Sequence, residues 1–102
     1  MARVPEIGSA LAAGARPRLA PKVRLRWDRV EGRHMLLYPE RGLALNGTAA
    51  DIVQLCTGER TIAEIVDALA GKYAPEPRDA VERQVLAFLT AMVERGLVRS
   101  EG

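Results

Sequence analysis

The sequence predicts an α+β domain of winged helix-turn-helix-like form, a three-stranded antiparallel sheet followed by three helices. Three observations carry that prediction. Val23, Leu25 and Trp27 alternate with Arg24, Arg26 and Asp28, the period of a half-buried strand. From Ala49 onward the apolar residues Ala49, Ile52, Val53 and Cys56 instead recur at helical spacing. Thr61 then stands three residues before Glu64, the spacing of a capping box that opens another helix.

Taken in order, residues 1–21 hold three prolines and no sustained apolar periodicity, so they predict a flexible tail or linker before a domain over 22–102. After the first strand, Glu31-Gly32-Arg33 supplies a turn and His34 to Pro39 a second strand, which Pro39 stops. Gly42 opens the third strand, GLALN. Asn46-Gly47 has the composition of a hairpin turn. No strand alternation follows it, however, and Asn is among the best N-cap residues, its side-chain oxygen accepting a free amide hydrogen of the first turn. Asn46 is therefore expected to cap the first helix, and Gly58 to end it. The second helix runs from Thr61 and frays near Gly71–Ala74. Asp79 is expected to cap the third, whose core stripe is Val81, Val85, Phe88, Leu89 and Met92 and which Gly96 stops. Leu97-Val98-Arg99 is too short to assign.

Composition narrows function. The net charge of +2 divides into +4 over residues 1–24 and −2 over residues 25–102, so the basic character sits in the leading segment. One cysteine, Cys56, excludes an internal disulfide and agrees with a reducing, cytoplasmic setting. With one His and one Cys a usual zinc site cannot be assembled. His34 lies in a strand and Cys56 on an apolar helix face, so neither is expected to do chemistry, and no phosphate-cradling glycine motif is present. A winged-helix DNA-binding regulator is the alternative the architecture suggests. The second helix nevertheless exposes Glu64 and Asp67 against Lys72, a face that duplex phosphate would not favour.

What remains is a surface of backbone and apolar side chains. The third strand ends the meander and should leave one edge unpaired, and such edges can accept a further strand. On the third helix, Leu86 and Val93 widen the apolar arc to roughly 160°. A helix flank beside an open edge would make a groove for an extended peptide.

The stretch LLYPERGLALNGTAADIVQLCTGERTIAEIV, Leu36 to Val66, closely resembles the PqqD family of pyrroloquinoline quinone biosynthesis. The residues that carry the resemblance are Tyr38-Pro39-Glu40, Leu45-Asn46 and Leu55-Cys56 through Gly58, Arg60 and Thr61. The preceding strand with Arg24, Arg26 and Asp28 also fits, and the resemblance covers about residues 23–96. It implies a non-enzymatic peptide chaperone without a cofactor of its own. Such a chaperone binds the ribosomally made precursor peptide PqqA and presents it to the radical SAM enzyme PqqE, which cross-links a Glu and a Tyr side chain. Related domains are recognition elements for other ribosomal peptide natural products. The resemblance further implies that the peptide adds beside the third strand against the third helix, which maps to Arg41, Gly42, Leu43, Ala44 and Leu45 with Leu86, Leu89 and Val93. Tyr38-Pro39-Glu40 and Asn46 look like architecture. Residues 1–21 resemble linkers found where such a domain is fused to the pathway oxidase PqqC.

Overall fold

The computed structural model describes residues 11–101. Its order is β1 (Arg16–Leu19), β2 (Arg24–Asp28), β3 (Arg33–Tyr38), β4 (Arg41–Ala44), α1 (Gly47–Gln54), α2 (Ile62–Lys72), α3 (Arg78–Glu94) and β5 (Val98–Glu101). The fold is α+β with antiparallel sheets and three helices, as expected, but it has two sheets among the described residues. The expected meander is present in the order β2-β3-β4; β1 and β5 form a second, two-stranded sheet.

The hairpins follow from their turn residues. Between β2 and β3, the Asp28 carboxylate accepts the amides of Val30 and Glu31 at 2.9 and 3.2 Å, and Gly32 takes a positive φ of 68°. Between β3 and β4, Tyr38 pairs with Arg41 across Pro39-Glu40. Proline pre-sets the first corner of such a turn, and Glu40 occupies the second at φ 64°, where glycine is the usual residue.

Asn46 caps α1 as expected, its side chain accepting the Ala49 amide at 2.8 Å. The helix ends at Gln54 with Leu55 as C-cap, earlier than the expected stop at Gly58. Gly58 instead shapes the connection to α2, at φ 85°. The capping box at Thr61 and Glu64 is complete, with both reciprocal hydrogen bonds formed. The expected cap of α3 is corrected: Pro77 is the N-cap without a side-chain bond, and Asp79 lies inside the first turn, pairing with Arg83 at 3.5 Å. An acidic residue there still suits the helix dipole.

The largest correction concerns the leading segment. Residues 1–10 of the expected tail lie outside the described residues, but residues 11–21 are not a linker. Leu11, Ala15 and Pro17 are buried, and β1 pairs with β5 in register from Arg16↔Glu101 to Leu19↔Val98. Its other side meets the α1–α2 connection: Arg18 bridges Thr57, and the Gly58 amide donates to the Pro17 carbonyl at 2.9 Å. Upstream, the carbonyls of Ala15 and Ala13 accept the amides of Ile62 and Ala63 at 2.9 and 3.0 Å. Those are first-turn donors of α2 that no intrahelical carbonyl can satisfy. The segment is a cap for α2 as well as a strand. Leu97 and Val98, unassigned from sequence, are buried under the same sheet.

The core gathers Leu36 of β3, Ile52 and Val53 of α1, Ile62, Ile65 and Val66 of α2, and Val81, Val85 and Leu89 of α3. Every fully buried large side chain but Pro17 is aliphatic, in keeping with only four aromatic residues in the sequence.

Candidate functional site

Strand β4 is the last strand of its sheet and has β3 on one side only. Which of its amides face outward follows from the ladder. The Leu45 amide donates to the His34 carbonyl at 3.0 Å, directly opposite in the β3–β4 register. Hydrogen-bonded and non-hydrogen-bonded pairs alternate along an antiparallel ladder. Leu43 and Arg41 therefore also exchange bonds with β3, through Leu36 and Tyr38, while Gly42 and Ala44 turn their N–H and C=O groups to the open edge. The two residues at that edge are also the smallest in the strand, so no bulky side chain guards it. Gly42 has a packing reason too, since a Cβ there would meet the ends of Met35 and Leu37 at 3.3 and 3.4 Å.

The side chains of the expected site divide. Leu43, Leu86 and Val93 are half-buried and pack on the core while keeping surface to offer. Leu86 and Val93 lie seven residues apart, two turns along one face of α3. Leu45 and Leu89, at 4% and 0% exposure, lie in the core of the domain and not on its surface. Leu89 sits at the centre of the α3 stripe, where burial is completed by the sheet and helices of the domain itself. Phe88, expected in the stripe, is only half-buried. Arg41 and Ala44 are exposed, as is Gly42.

The start of β4 and the end of α3 meet around an open cleft of about 510 Å³ lined by Tyr38, Arg41, Arg95 and Leu97. Sequence reasoning did not name Tyr38, Arg95 or Leu97 for the site. Nothing in the local pattern connects Arg95, next to the helix-ending Gly96, with a turn more than fifty residues earlier.

The groups with chemical potential are structural. The Cys56 thiol is buried, donates to the Ile52 carbonyl at 3.3 Å, and is pushed up to about 12 by burial. It is protonated and inert at neutral pH. The His34 ring stands edge-on to Trp27 with centroids 4.9 Å apart. Asp51 of α1 accepts the Tyr73 hydroxyl and the Lys72 ammonium, the latter at 3.0 Å, tying α1 to the end of α2. The Tyr73 bond holds the Asp51 carboxyl below its ordinary value, against partial burial and with help from Lys72. Burial, followed by the same bond, raises the Tyr73 hydroxyl. Among the described residues no group of three His, Cys, Asp or Glu side chains is placed to hold a metal, and no helix is long and apolar enough to cross a membrane.

Fold and site together define a small strand-edge domain, one whose available surface chemistry is backbone hydrogen bonding flanked by an apolar helix row. The model of the family Coenzyme PQQ synthesis protein D (PqqD) matches residues 33–98, and the chain belongs to that family. Its relatives include the PqqA binding proteins of Bradyrhizobium diazoefficiens and Rhodopseudomonas palustris strain TIE-1. The first is 35% identical over 86% of this chain and 84% of its own; the second is 39% identical over 82% and 81%. The bifunctional coenzyme PQQ synthesis protein C/D of Methylorubrum extorquens is 34% identical over 78% of this chain but only 21% of its own length, so in that relative the domain is fused to a C protein. The solution structure of the PqqD truncation of Methylobacterium extorquens PqqCD, a stand-alone recognition element for ribosomally synthesised peptides, superposes with a TM-score of 0.72. The two are 30% identical, and the match covers 89% of this chain and 98% of that one. Lasso peptide synthetase B1, solved in complex with the leader peptide, gives a TM-score of 0.69 at 30% identity over 82% and 98%.

Proposed function

We propose that this protein binds the precursor peptide PqqA as an added strand along β4 and presents it to the radical SAM enzyme PqqE, without catalysing a reaction itself. The observation that carries the reading is the pair of outward-facing backbones at Gly42 and Ala44 beside the half-buried row of α3. Main-chain hydrogen bonds to an added strand supply affinity, and adjacent apolar pockets supply selection. The relatives named as PqqA binding proteins support the choice of peptide, and the leader-bound lasso synthetase supports peptide docking on this fold. Within the expected site, Gly42 and Ala44 act through backbone and Leu43, Leu86 and Val93 through side chains, with Arg41 at one end. Leu45 and Leu89 support the groove from beneath. The setting is cytoplasmic, where the reduced Cys56 is at home.

A winged helix-turn-helix-like arrangement of α1 and α2 does not favour a DNA regulator here. The α2 surface exposes Glu64 and Asp67, and Asp67 is engaged by Arg78 at 2.9 Å. Titration of isotope-labelled protein with synthetic PqqA peptide tests the proposal, using shift mapping on the β4 and α3 amides. Saturable shifts at Gly42, Ala44, Leu86 and Val93 are expected; shifts produced by duplex DNA and not by peptide contradict it.

A further inference from the structure

The cleft between β4 and α3 does not stand alone. A second cleft of about 380 Å³ shares Tyr38, Arg95 and Leu97 with it and is also lined by Lys22 and Arg99. A third, of about 270 Å³, continues from Pro21 and Arg99 to Arg18 on β1. The charged lining of all three is Arg18, Lys22, Arg41, Arg95 and Arg99, without a carboxylate among the lining residues. Glu40 and Glu94 are chain neighbours of Arg41 and Arg95 but line none of the three. Lys22, Arg41, Arg95 and Arg99 make no side-chain hydrogen bond or ion pair with another described residue. All four are exposed.

This track is assembled from four separate places: the leading segment, the β3–β4 turn, the end of α3, and β5. Folding β1 against β5 brings the basic charge of the leading segment to the same side as the start of β4. The unpaired guanidinium groups of Arg41, Arg95 and Arg99, with Tyr38 and Leu97 beside them, suit carboxylates presented on an extended chain. Arg41 is both the first residue of β4 and part of the lining, so the clefts begin where β4 begins.

We propose that this basic track holds an acidic segment of the same peptide whose neighbouring residues pair with β4. The inference rests on the strand-addition reading and deepens it by assigning a charge to the peptide's flank. For a peptide antiparallel to β4, the carboxylates follow the paired stretch toward its C-terminus. For a parallel one they precede it. Two contacts of different kinds on one peptide, backbone pairing and charge, fix its register, which pairing alone leaves free to slip by two residues.

The test combines substitutions on both molecules, with Arg95→Gln/Arg99→Gln as the double variant on the protein side. Both side chains are exposed and bond to no other described residue, so thermal unfolding of the variant should match the parent. Binding of synthetic PqqA peptide is measured by fluorescence anisotropy, with each Glu or Asp of the peptide changed in turn to its amide. The expected result is a loss of about fivefold to tenfold in affinity at about 0.05 M salt, shrinking at about 0.5 M as the charges are screened. One or two amide substitutions should reproduce that loss, and cost nothing further in the double variant. Equal affinities for parent and variant, while Gly42 and Ala44 amides still shift with peptide, would overturn the acidic-segment assignment alone. An equal loss for every amide-substituted peptide, or a loss confined to duplex DNA, would overturn it too. If the Gly42 and Ala44 amides do not respond to peptide at all, strand addition fails and this assignment with it.

Discussion

Strands β1 and β4 are both four residues long, yet they are finished differently. β1 has β5 along one side and the Thr57–Gly58 connection along the other, and the carbonyls just upstream cap α2. β4 has β3 on one side and an open edge on the other. The two strands therefore put their hydrogen-bonding capacity to different uses. A strand bonded on both sides stabilises the domain, and damage to it should appear as unfolding. A strand with a free, unguarded edge holds backbone hydrogen-bonding capacity in reserve for a partner, and damage there should appear as lost binding.

The sharpest contrast lies between neighbours on α3. Val85→Glu places a carboxylate in the closed core and should cost more than about 4 kcal/mol, enough to unfold a domain of this size. Leu86→Glu, one residue on but at the half-buried margin, should fold and weaken peptide binding by up to several kcal/mol. Chemical denaturation and peptide titration of the two variants separate the outcomes. Unchanged peptide affinity in folded Leu86→Glu would move the groove off α3.

Next in size is the leading segment. A chain beginning at Pro21 loses β1, the burial of Leu11, Ala15 and Pro17, and the carbonyls on Ile62 and Ala63. Burial of one leucine and two first-turn bonds together suggest a loss of at least about 3 kcal/mol. A denaturation midpoint equal to that of the full chain would show that β1 is an ornament on the domain and not a part of it.

Proline substitutions resolve the two sides of β4 itself. Leu43→Pro removes a ladder donor to β3 and should destabilise the fold by about 2–3 kcal/mol. Ala44→Pro removes only an outward donor, so stability should hold while peptide binding falls. Reversal of that pattern would place the open edge one residue out of register.

Smaller effects belong to the joints between helices. Asn46→Ala should cost about 0.5–2 kcal/mol and Asn46→Gly only a few tenths, read from thermal unfolding. Asp51 contributes through a carboxyl held below its ordinary value by Tyr73. Its stabilisation is therefore present above the ordinary aspartate range and is lost as pH falls through the lowered folded value. Asp51→Asn should remove about 1 kcal/mol near neutral pH and flatten the acid limb of stability against pH.

The contrast between β1 and β4 also explains what was legible in the sequence. The meander, the caps at Asn46 and Thr61 and the stripe of α3 are local: alternation, a capping side chain and a 3.6-residue period declare themselves within a few residues. Residues 16–19 read RPRL, with a proline where a strand would be expected to fail. That proline is tolerated because β1 is short and Pro17 bonds through its carbonyl, which accepts the Gly58 amide, so its missing N–H is not called on there. Its partner β5 lies about eighty residues away, so no local pattern could pair them. The site was legible as an edge and an arc, while the division of α3 into buried Leu89 and half-buried Leu86 depended on how the helix rolls against its neighbours. The basic track was not legible at all, since its charges come from four separated stretches that only the fold collects.

Amide hydrogen exchange with and without saturating PqqA peptide reads strand addition at β4 residue by residue. In the free protein Leu43 and Leu45 are already bonded to β3, whereas Gly42 and Ala44 face solvent. Peptide should slow exchange at Gly42 and Ala44 and leave the protection of Leu43 and Leu45 little changed, an alternation that only strand addition at β4 produces. Protection appearing instead at Leu25 and Trp27, whose amides face outward on the opposite edge strand β2, would contradict the account.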